Sequence, residues 1–205
     1  MMRRGLTLVE LLLFVGILAL ASGAIIGLMV LTNENRARQG ATVDVEQNGL
    51  QLLQFLTNEI RHAERILGPA RGSSGSILVL QVADDNSNPV IIAAQSGALL
   101  LVRRDAEANL TPVQVMVTEM RVWNTSVTDD RPSLSLSFTV RGIAAPTQSG
   151  AYTRTFQTGM TLFPDALTQG AACGCGAPQC VGHHYRWFVC NAGSCAATTG
   201  SLLCP

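Results

Sequence analysis

The chain has 205 residues, which suits one medium domain with one accessory element. Hydrophobic residues make up 47% and charged residues 14%, a balance that excludes intrinsic disorder, and an aromatic share of 5% demands an aliphatic core. Fourteen Arg offset fourteen Asp plus Glu with no Lys at all. Lysine Schiff-base chemistry and a P-loop lysine are therefore excluded, and no basic excess points to a nucleic-acid partner.

The first element is apolar. Residues 11–31 run without a charge and are rich in Leu, Ile, Val and Ala. About twenty such residues cross a bilayer as a helix. The run is too long for a signal-peptide core and no small-x-small cleavage site follows it, since Leu31 leads into Thr32-Asn33-Glu34-Asn35. Arginine counting does not orient it, because Arg3 and Arg4 on one side face Arg36 and Arg38 on the other. An ordinary membrane anchor leaves Glu10, a carboxylate at the entrance of the apolar run, without a purpose.

The stretch Met1-Met2-Arg3-Arg4-Gly5-Leu6-Thr7-Leu8-Val9-Glu10-Leu11-Leu12 resembles the N-terminus of type IV pilins and type II secretion pseudopilins. In that family a basic leader ends in Gly and is removed by a prepilin peptidase. The new N-terminal residue is N-methylated, and a Glu follows at its fifth position. The resemblance implies cleavage between Gly5 and Leu6, methylation of Leu6, and an assembly role for Glu10. Leu6 stands where Phe is commonest, an apolar exchange that the family tolerates. Burial supplies the physical sense of Glu10: a carboxylate in hydrocarbon needs a partner, and the amino group of Leu6 on a neighbouring subunit would be one. Breaking a buried ion pair costs about 3–5 kcal/mol. A proton relay would want further ionisable residues between Leu11 and Leu31, and there are none.

Beyond residue 32 the chain turns polar, with Glu34 and Arg38 at i,i+4 spacing and with Gly40 and Gly49 weakening the helix. Leu53, Leu56, Ile60, Ala63 and Leu67 form one helical stripe, which Gly68-Pro69 should end. A near-continuous helix over residues 6–67 would measure about 90 Å at 1.5 Å per residue. His62 reads as a surface residue. Strand patterns follow over 77–82, 90–94, 99–104, 113–123, 133–140 and 152–162, with a hairpin around Gln95-Ser96-Gly97. Short polar loops between such strands imply an antiparallel sheet. Asp84-Asp85-Asn86-Ser87-Asn88 reads as a solvated turn, with calcium binding as the alternative, although the spacing and closing Glu of an EF-hand are missing. The sheet region holds no Cys and no His, and the chain has no G-x-G-x-x-G, G-x-S-x-G or H-E-x-x-H. The helix ending Ile60-Arg61-x-Ala63 with a strand after it loosely resembles J-type minor pseudopilins and W-type minor pilins.

After residue 164 the composition shifts to Gly, Ala and Cys, with all six cysteines here: Cys173, Cys175, Cys180, Cys190, Cys195 and Cys204. Outside the cytoplasm an even count reads as three disulfides, with the pairing open except that Cys173 and Cys175 are too close in sequence to bridge. So short a segment needs cross-links to hold a core. The alternative is zinc, through Cys173, Cys175, Cys180 and His183, but no second ligand pair completes the pattern. Tyr185, Trp187 and Phe188 form either the small core of this tail or an exposed adhesive patch.

The expected fold is therefore α+β: leader 1–5, transmembrane and assembly helix 6–31, amphipathic second half 32–68, antiparallel sheet domain 69–164 and disulfide tail 165–205. The expected function is a filament subunit, a minor pilin or pseudopilin of a pilus-like or type II secretion filament, with no catalytic residues, metal or cofactor. Its implied partners are other pilin or pseudopilin subunits, the prepilin peptidase, the inner-membrane assembly platform and membrane lipid, with no nucleic acid. It would sit in the inner membrane as a single-pass protein, its C-terminal domain outside the cytoplasm, before entering the filament. The competing expectation is an anchored extracytoplasmic metal-binding protein or enzyme acting through the Cys/His tail.

Overall fold

A computed structural model describes residues 8–84, 86–104, 106–128, 131–143, 152–163, 175–191 and 194–204. Among them the fold is α+β, as expected, with one long helix and twelve strands in three antiparallel sheets. The chain divides into two compact units, Met1–Ala41 and Thr42–Pro205. Helix α1 spans Leu8–Arg61. The strands are β1 (Arg65–Gly68), β2 (Ser74–Gly75), β3 (Ile77–Gln81), β4 (Val90–Gln95), β5 (Ala98–Arg103), β6 (Ala106–Asn109), β7 (Val115–Asn124), β8 (Ser133–Gly142), β9 (Thr153–Thr161), β10 (Gln179–Val181), β11 (His184–Asn191) and β12 (Ser194–Leu203).

In the second unit the helix buries Val45, Leu52, Leu56 and Ile60, spaced by seven, four and four residues, the period of one helical face. Gly49, which lowers helix propensity, lies on that face for a steric reason: a Cβ there would run into the Phe156 ring of β9. Phe156 in turn stacks on Phe138 with centroids 5.5 Å apart. Two ion pairs tie the helix to strands. Glu59 accepts two hydrogen bonds from Arg103 Nη2, each 2.8 Å, and Glu46 pairs with Arg154 while accepting from the Tyr152 hydroxyl at 3.1 Å.

The helix ends at Arg61, not at Leu67 as its apolar stripe suggests. Ala63 closes the last turn, and Glu64 N–H then donates to Gln81 C=O at 2.8 Å. Arg65 and Ile66 pair with Gln81 and Leu80 as β1. Leu56, Ile60 and Ala63 stay with the helix core, but Leu67 packs in a different cluster on a strand. Ladder bonds and burial against β3 outweigh the few tenths of a kcal/mol of propensity in four residues. His62 is exposed, and its Nδ1 lies 2.7 Å from Asn58 C=O.

The sheets run β1-β3-β4-β5-β6, β2-β7-β8-β9 and β10-β11-β12. The β4–β5 hairpin turns on Ser96 (φ 52°) and Gly97 (φ 80°), the left-handed pair that a two-residue hairpin loop requires. In the four-stranded sheet β8 alternates strictly: Leu134, Leu136, Phe138 and Val140 are buried, while Ser133, Ser135, Ser137 and Thr139 face outward. The five-stranded sheet does not alternate. Leu78, Leu80, Val90, Ile92, Leu99 and Leu101 join the helix in one core, and the intervening Val79, Ile91, Ala93 and Val102 join Trp187, Val189 and Leu202 of the C-terminal sheet in a second. Both faces are covered.

Candidate functional site

Two regions carry the candidate residues. In the first unit, Leu8–Asn33 is 26 residues long and apolar enough to cross a membrane, and its side chains are exposed. A span of about twenty residues suffices for a hydrocarbon core. Glu10 occupies the first turn of the helix and is the sole ionisable residue from Leu8 to Asn33. Gly5 and Leu6 lie outside the described residues. The apolar run also contains Gly23-Ala24-Ile25-Ile26-Gly27, a small-x3-small pattern that its apolar composition masks. Nothing approaches either glycine within 4 Å, so this face is open to a close helix neighbour.

The second region is the tail. Cys175 bridges Cys195 with Cα atoms 5.7 Å apart, and Cys180 bridges Cys204 at 6.0 Å, both within the ordinary range. Cys173 and the side chain of Cys190 lie outside the described residues. Two sulfurs of the zinc alternative, Cys175 and Cys180, are thus already joined to partners. The turn between β10 and β11 is Gly182 (φ 60°) and His183 (φ 69°), so His183 serves as a hairpin residue whose carbonyl accepts from Cys204 N–H at 3.1 Å.

The aromatic cluster resolves in favour of a core. Trp187 is 2% exposed, with its indole N–H donating to Arg104 C=O at 3.0 Å. Its ring lies over Gly200, where a Cβ would run into it. Tyr185 packs against the same cluster and Phe188 is half-buried. An adhesive patch centred on Trp187 is therefore corrected: Trp187 is turned onto the outer face of the five-stranded sheet. Leu203 N–H to Gln95 Oε1 at 2.8 Å and Ser201 Oγ to Glu107 add polar ties. The signal for this docking lay in the sheet rather than the tail, because unbroken runs such as Val90-Ile91-Ile92-Ala93 mark strands covered on both faces.

The Asp84 turn is ordered by its own side chain. Asp84 Oδ1 accepts from Asn86 N–H at 3.0 Å and Oδ2 from the Ser87 hydroxyl at 2.7 Å. The Ser87 hydrogen bond foremost, then the Asn86 N–H, holds its carboxyl below the ordinary 3.8. Asp85 lies outside the described residues. Two surface cavities accompany the sheets. One of about 250 Å3 is lined by Arg65, Arg71, Asn124 and Ser126 among others, and one of about 500 Å3 by Ser133, Ser135, Thr161 and Phe163 among others. Among the described residues, neither lining includes a histidine, cysteine or carboxylate to serve its hydroxyls as a base. Comparisons with family models, curated proteins and solved structures found no match to this chain.

Proposed function

We propose that this protein is a structural filament subunit, a minor pilin or pseudopilin of a type IV pilus-like or type II secretion filament. It is made as a precursor, cut between Gly5 and Leu6 by a prepilin peptidase, methylated at Leu6 and held in the inner membrane until the assembly platform extracts it. Its role is assembly rather than catalysis. The observation that carries this reading is one helix, Leu8–Arg61, with a membrane-length apolar stretch, a lone carboxylate in its first turn, and a C-terminal part buried in the core of a sheet domain. A soluble enzyme with a simple anchor has no use for a carboxylate at that depth, because carrying a charge into hydrocarbon is costly. The Gly23/Gly27 face supports the same reading, since small residues let helices of adjacent subunits approach closely. Disulfides at Cys175–Cys195 and Cys180–Cys204 fit an extracytoplasmic domain.

Glu10→Ala tests the assembly role. The variant is expected to insert in the membrane and to be cleaved normally but to enter filaments poorly, by about tenfold or more if a buried pair is lost. Normal incorporation of the variant, measured by immunoblot of sheared filaments against membrane fractions, would refute it.

A further inference from the structure

Six strands form the edges of the three sheets, and they are guarded unequally. β1 and β6 have four residues each and carry Arg65 and Glu107; β2 has two residues and β10 three. β9 has nine and carries Arg154. Among the described residues only β12 is both long and unguarded, with ten residues that include no charge and no proline. Shortness, charge and proline are how natural sheets keep their edges from pairing with another chain.

The direction of its free backbone groups follows from the hairpin. Two residues separate Asn191 from Ser194, which face each other in the register, so they form a hydrogen-bonded pair. Antiparallel alternation then turns the N–H and C=O of Ala196 and Thr198 toward β11, and those of Cys195, Ala197 and Thr199 away from it. Cys195, Ala197 and Thr199 are all exposed. The strand is also held in shape beforehand, because Cys195 is bridged to Cys175 and the chain just past its end is bridged through Cys204 to Cys180. A preformed strand pays less ordering entropy on pairing.

We propose that β12 is a strand-pairing interface whose occupant is β12 of a second copy of this chain, added antiparallel about Ala197. Two-fold pairing sets Ala197 against Ala197 and Cys195 against Thr199, and it satisfies both edges at once. Self-pairing about this axis sets Ala197 opposite its own copy and brings Ala196 and Thr198 within diagonal reach of theirs, so a charge at any of these three positions would meet a like charge. A strand without charge and with small side chains at its centre, Ala196-Ala197-Thr198-Thr199, is the composition that self-pairing tolerates. A charged partner strand would gain nothing from this edge. The inference uses only the tail and stands whether or not the chain enters a filament.

The test is hydrogen exchange by mass spectrometry on the full chain in detergent micelles, at low and high protein concentration. It resolves the tail from any association of the apolar helix. The amides of Cys195, Ala197 and Thr199 are expected to exchange about tenfold more slowly at the high concentration. Ala197→Lys and Ala197→Glu should each abolish that slowing, because like charges then meet at the two-fold. An equimolar mixture of the two variants should restore it. Both variants keep their disulfides, which thiol labelling verifies. Exchange that is equally fast at every concentration overturns the proposal. So does slowing that is independent of concentration, which means that another segment or a different protein covers the edge, and so does a mixture that fails to regain protection.

Discussion

The four-stranded and five-stranded sheets of this protein bury their residues by different rules. In β8 every second residue is apolar and buried, and the residues between are Ser and Thr. In β3 and β4 four residues in a row are buried, because the helix core lies on one face and the tail on the other. Alternation thus reports a face left to solvent, and its loss reports a second cover. The cover here comes from a segment far along the chain, since Trp187 shares one buried cluster with Val102 and Ile91. The tail is consequently a third layer of the second unit, stapled by disulfides because too little of it is apolar to hold by burial alone.

This contrast is broken most severely by removing the indole that joins the layers. Trp187→Ala should cost about 3–5 kcal/mol in denaturant unfolding, with residues after 175 cut by protease before the rest. A loss below about 1 kcal/mol would mean that the tail is not part of the core. Leu136→Ala, on the buried face of β8, should cost about 2–5 kcal/mol, whereas Ser135→Ala beside it should stay within about 0.5 kcal/mol. Equal effects would contradict the one-sided burial of that sheet.

Reduction sharpens the comparison further. Each of the two bridges closes a loop of twenty or so residues, with separations of 20 and 24, and should contribute about 2–4 kcal/mol. Thiol labelling of the denatured, unreduced protein should find no reactive Cys175, Cys180, Cys195 or Cys204. After reduction the tail should become protease-sensitive while α1 and the four-stranded sheet persist, because the helix core contains no cysteine. Four free thiols with bound zinc would favour the metal-site alternative.

The smallest expected effect lies in the Asp84 turn. Its folded carboxyl titrates below the ordinary 3.8, so it adds stability that is present above that value and lost as pH falls through the depressed midpoint. An NMR titration should place the Asp84 midpoint below 3.8, and Ser87→Ala should move it up toward that value.

Local pattern made much of the fold legible. The apolar run, the Leu56–Ile60–Ala63 stripe and the strands now seen as β3, β4, β5, β7, β8 and β9 are each visible as a period of 3.6 or 2, or as a short apolar run. What was not legible depended on distant partners. Arg65-Ile66-Leu67 continues a helical stripe and becomes a strand because β3 offers a ladder. β6 has no apolar pattern and exists as the neighbour of β5. The cysteines announced staples without announcing where the stapled segment docks. At the candidate site, Glu10 was legible because a charge in an apolar run is conspicuous. Gly23 and Gly27 give no signal because two glycines among Ala and Ile break no pattern, and Gly49 looks like a weak point of the helix in sequence whereas it is the position that admits the Phe156 ring.

The account rests most heavily on what happens to the N-terminus, and intact-mass and peptide mass spectrometry of the protein purified from membranes reads it directly. The predicted result is a mature chain beginning at N-methyl-Leu6, with Met1 through Gly5 removed. A chain that keeps Met1, or one cut after the apolar run, would contradict the filament-subunit reading.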